Sequence, residues 1–141
     1  MGGKQLRNYQ RTAQEHARVL SFYGKNYKGI TKETVMEHTA EVKRNVEAAQ
    51  KEFTKLDAHA KQDPEVAKSL KIINDLHVKV LEHCKMADAE GSKDAPEMTK
   101  LCECCDGMVK DLEAAEAEHT KLLKHLKMEP VEVLSKVSPK K

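Results

Sequence analysis

The chain has 141 residues, with 25 Lys+Arg against 23 Asp+Glu, a formal charge of +2, 4% aromatic residues and no Trp. This length favours one domain, and the composition excludes collagen-like and low-complexity classes. No apolar run approaches the roughly 18 residues of a membrane-spanning helix, and interspersed charges with few stacking rings argue against nucleic acid as a partner.

Abundant Ala, Glu, Lys and Leu beside few aromatic and β-branched residues predict an all-α chain. The first helix carries a stripe of Leu6, Tyr9, Ala13, His16, Leu20 and Tyr23 at steps of three and four, and breaks at Gly24-Lys25-Asn26-Tyr27-Lys28-Gly29. Thr31 is placed to cap a second helix, with Ile30 and Val35 as a hydrophobic staple, and its stripe runs Val35, His38, Val42, Val46, Ala49, Phe53, Leu56, Ala60. Asp63-Pro64-Glu65 combines a cap, a first-turn proline and a first-turn acid ahead of Val66, Leu70, Ile73, His77, Val80, Cys84 and Ala87. Asp94-Ala95-Pro96-Glu97 has capping-box spacing before Met98, Leu101, Cys105, Met108, Leu112, Ala115, His119, Leu122 and Leu126. Each helix has one inward stripe, so an antiparallel up-down-up-down four-helix bundle over residues 1–128 is expected, with a short first helix. Residues 129–141 read as a loose tail.

The opening Met1-Gly2-Gly3-Lys4-Gln5-Leu6 lacks an apolar signal core, and Leu6 stands where a myristoylation motif wants Ser or Thr. A cytoplasmic setting without membrane attachment is expected. In that reducing compartment Cys84, Cys102, Cys104 and Cys105 are expected to be free, metal-bound or redox-active.

Several stripe positions carry imidazole or thiol where Leu or Val would be ordinary. Reflection through a turn centre near about residue 27 sets His16 opposite His38, at 1.5 Å rise per residue. Reflection through about 92.5 sets Cys84 opposite Leu101, within roughly a turn of Cys102 and Cys105. The expected layer of His16, His38, Cys84, Cys102 and Cys105 is a soft donor set suited to Zn²⁺ or Cu(I), with Cys104 in reserve. Coordination would also relieve the cost of unpartnered polar groups in a core. Cys102 and Cys105 share a helix face on this reading, Cys104 points elsewhere, and mid-helix Gly107 marks a bulge or a close backbone approach. Met98 and Met36 are conceivable thioether ligands.

The same reflection puts His77 near Met108 and His119 near Val66, so these read as separate packed core residues. His59 reaches the His119 level with Glu116 one turn before it, but the short first helix leaves that end open. His83 and His125 read as surface residues, and Glu113 to Glu118 as a solvated face. Three functions compete with metal binding. One is a thiol redox pair of Cys84 with Cys102 or Cys105, one a haem held by His16 and His38, and one a plain interaction scaffold. No nucleophile–base–acid order, phosphate-cradling loop or catalytic carboxylate pair is present, so catalysis is not expected. A metal ion is the expected partner, and a homo-oligomer is compatible with the pattern.

Overall fold

The computed structural model describes residues 2–26 and 31–126, with side chains from Leu6 onward. The chain is all-helical, and among the described residues there is no strand. Four long helices pack against one another: α1 (Gly2–Asn26), α2 (Lys32–Phe53), α4 (Pro64–Gly91) and α5 (Met98–His125), with α3 (Asp57–Gln62) a short helix between α2 and α4. α1 packs on α2 and α5, and α4 packs on α2 and α5. Among the described residues no helix is long and apolar enough to cross a membrane.

The caps follow their side chains. Thr31 Oγ1 accepts the Thr34 N–H at 3.0 Å, starting α2, and Asp63 Oδ1 accepts the Glu65 N–H at 3.0 Å, with Pro64 at the head of α4. The staple partner Ile30 and the tail 129–141 lie outside the described residues. The capping box at Asp94 does not form. α5 starts at Met98, and the Glu97 N–H instead donates to Glu90 Oε2 at 2.7 Å, while Lys93 pairs with Glu90 Oε1 at 2.9 Å. A carboxylate from the end of α4 thus replaces the local box, because Pro96 disfavours the helical conformation at Ala95, which would be the first residue of a helix capped by Asp94.

Two further expectations are corrected. The second helix ends at Phe53, where the Thr54 hydroxyl donates to Lys51 O at 2.6 Å and a 3-10 turn, Thr54–Leu56, redirects the chain into α3. α3 then lies on α4, and Leu56 and Ala60 cover the edge of an apolar cluster built on Phe53, Val66, Ile73 and Leu122. Nor is the first helix short: α1 has 25 residues. Its buried face is Leu6, Gln10, Ala13, Ala17, Leu20 and Gly24, a regular four–three alternation that includes a glutamine and small residues. Tyr9, His16 and Tyr23 form the neighbouring, half-buried ridge.

The core has two apolar clusters. One gathers Ala13, Ala17, Leu20, Val42, Val46, Val80, Cys84, Cys105 and Met108; the other is the Phe53 cluster with Leu6, Ala49 and Ala115. On α1 and α4 the boundary between them falls at Gln10 and His77, both 1% exposed. Outside this boundary Glu116 is no solvated residue. It takes Arg7 Nη1 at 2.8 Å, Arg11 Nε at 3.1 Å and Gln14 Nε2 at 2.8 Å, tying α1 to α5. Burial raises the Glu116 carboxyl, but the Gln14 bond and the Arg11 and Arg7 charges outweigh it and hold the group below its ordinary range.

Candidate functional site

α1 and α2 bring two imidazoles into direct contact. His16 Nδ1 and His38 Nδ1 are 2.9 Å apart, with ring centroids at 5.2 Å, and the Tyr23 ring lies 6.2 Å from His38. Both histidines are half-buried. Burial, then the neighbouring His16, lowers the pKa of His38 against the pull of Glu37 and Glu41. Glu41 bonds Arg44 and is also electrostatically coupled to both rings.

The thiols lie elsewhere. Cys84 and Cys105 are buried in the larger apolar cluster, and Cys84 Sγ approaches Met108 Sδ at 4.0 Å. Burial, then Asp88, pushes the Cys84 thiol up to about 12, and burial pushes Cys105 up as well. Cys102 faces α1, its thiol 3.9 Å from Ser21 O, and a Cβ on Gly24 would stand 2.7 Å from its sulfur. Cys104 is buried toward α4, at 8% exposure. Three residues of helix rotate by about 60° from register, which is enough to send Cys102 and Cys105 to different neighbours when both flanks of α5 are covered. Among the described residues no group of three or more His, Cys, Asp or Glu side chains is arranged to hold a metal ion. His16 and His38 are therefore brought together, and Cys84, Cys102 and Cys105 do not join them in one donor group.

His77 and His119 come to one level instead of lying at different heights. Both rings pack on Phe53, at centroid distances of 5.9 and 5.1 Å. The expected turn centre was too early: α5 begins only at Met98, Cys84 meets Met108 rather than Leu101, and an error in the centre is doubled on reflection. His119 Nδ1 lies 3.0 Å from Gln10 Oε1, so Nδ1 carries the hydrogen and donates. His77 Nδ1 and Nε2, His119 Nε2, Gln10 Nε2 and Arg7 Nε have no hydrogen-bond partner. Burial lowers both imidazoles to about 4, helped at His77 by His119 and at His119 by Arg7.

A third arrangement escaped the sequence reading. His83 is half-buried rather than on the surface, its Nε2 is 3.4 Å from Asp111 Oδ2, and its Nδ1 is buried without a partner. Its ring lies against Gly107, where a Cβ would stand 2.8 Å from Cε1 and Nε2. The mid-helix glycine is thus the close approach rather than a bulge. His83, Met86, Glu90, Glu103 and Cys104 line a cavity of about 580 Å³ between α4 and α5. Gly107 was the available signal, but its partner could not be named without the register of α4 on α5. His59 is exposed, and His125 donates to Asp63 Oδ2 at 2.8 Å.

Comparison with protein-family models, curated proteins and solved structures finds no match to this chain.

Proposed function

We propose that this chain is a metal-binding helical protein in which His16 and His38 are the nitrogen ligands of an exchangeable zinc or copper ion. The observation that carries the reading is the 2.9 Å contact between their Nδ1 atoms. Two imidazoles on one tetrahedral ion at 2.0 to 2.1 Å hold their nitrogens roughly 3.3 Å apart, so the pair needs to open by only about 0.4 Å. Binding exchanges one nitrogen–nitrogen hydrogen bond for two metal bonds, with both rings as Nε2–H tautomers. Half-burial leaves the remaining coordination positions to water or to a partner's ligand, which favours transfer over a closed structural role.

The buried, hard-to-ionise thiols of Cys84 and Cys105 work against the redox reading. Direct contact of His16 with His38 leaves no room between them for a haem. Antiparallel pairings, Gln14 with Glu116 beside Ser21 with Asp106 on α1 and α5, Ser69 with Glu118 beside Cys84 with Met108 on α4 and α5, and Thr39 with Asp88 beside Val35 with Gly91 on α2 and α4, support the up-down-up-down bundle as the scaffold. Four free cysteines favour a reducing cytoplasm.

Titrating metal-free protein with Zn²⁺, followed through the imidazole C–H resonances, tests the reading. One ion per chain, shifting the His16 and His38 signals and lost in the H16Q/H38Q double variant, is expected. An ion retained by that variant, or no ion bound, overturns it.

A further inference from the structure

The cavity between α4 and α5 holds three soft donors on two helices. Cys104 is a free thiol at 8% exposure, Met86 is a thioether at 55% exposure, and His83 completes the set. Met86 stands one turn beyond His83 on α4, so both lie on the same face of that helix.

Three features single out His83. Asp111 sits beside Nε2, the carboxylate–imidazole arrangement that fixes the other nitrogen as the ligand. That other nitrogen, Nδ1, is buried with nothing to bond, although buried polar atoms are almost always satisfied. Gly107 leaves the space the ring occupies, although glycine is a poor residue for a helix interior.

We propose that this cavity is a Cu(I) site in which His83 Nδ1, Met86 Sδ and Cys104 Sγ are the ligands. A thioether beside a thiol and an imidazole selects Cu(I) over Zn²⁺, which takes nitrogen, thiolate and carboxylate donors. The site is separate from the His16–His38 pair and stands or falls without it. On binding, Cys104 loses its proton to solvent and copper stays in the +1 state.

The test is an anaerobic titration of the fully reduced protein with Cu(I) against a chromophoric Cu(I) chelator. Alkylation of Cys104 is followed in parallel by peptide mass spectrometry. Wild-type protein is expected to withdraw about one Cu(I) from the chelator and to protect Cys104 from alkylation. M86L should weaken binding at least about tenfold and C104S should abolish it. Circular dichroism checks each variant, and M86L decides if C104S loses helicity, because Met86 is largely outside the core. Affinity unchanged in M86L, or Cys104 alkylated equally fast with and without Cu(I), overturns the proposal.

Discussion

The molecule contains two pairs of histidines from different helices, and they have opposite hydrogen-bonding economies. At the α1–α2 seam His16 and His38 satisfy each other across 2.9 Å with water at hand. In the interior, beside the Phe53 cluster, His77 and His119 are 1% exposed, share Phe53, and leave three of four ring nitrogens unpartnered. One residue type is thus paired beside solvent at one place and left unpartnered in the interior at the other. The difference comes from access to water and partners, since both pairs occupy inward or near-inward positions of the helical pattern.

The strongest way to sharpen this contrast is acid. The folded state holds His77 and His119 at about 4, below their ordinary 6.5, so it keeps both neutral where the unfolded chain binds protons. The part of the stability that these two rings control should therefore be level above pH about 6.5, fall between about 6.5 and 4, and level again below, on the order of 3 kcal/mol for each ring, while the paired Glu116 carboxylate adds its own loss at the acid end. Urea midpoints measured across that range check it; a flat profile breaks the contrast.

Replacement of the buried rings comes next. His77→Leu removes two unpartnered nitrogens and should stabilise the fold by about 1 to 3 kcal/mol at neutral pH, while removing part of the acid slope. His119→Leu also frees Gln10 Oε1 from its donor and should be the worse substitution by about 1 kcal/mol, a gap that thermal melts of the two variants would show. The smallest effect belongs to the seam. His38→Ala breaks one accessible hydrogen bond and should cost about 0.5 to 1.5 kcal/mol without metal, leaving the acid slope of the interior pair intact.

The stripes of α4 and α5 were readable almost residue by residue, because Val66, Ile73, His77, Val80, Cys84 and Ala87 are buried as the period requires. α1 was less legible, since its inward face uses Gln10 and small residues that an apolar count passes over. The bend after Phe53 depends on a threonine hydroxyl and on what α3 covers, which periodicity does not encode. Of the candidate site, the His16–His38 contact was legible because the turn between α1 and α2 was centred correctly. The sulfur positions were not, because rotation about α5 and the late start of that helix decide which neighbour each thiol meets.

Asp63 gives the molecule a fastening with two duties. One oxygen starts α4 through the Glu65 N–H and the other holds His125 at the close of α5, so a single carboxylate clasps two helix ends that no short loop joins. Loosening of that clasp would admit solvent beside the Phe53 cluster, where protons would find His119. Fraying at one corner and acid uptake inside would then drive each other, making this end the place where the protein comes apart.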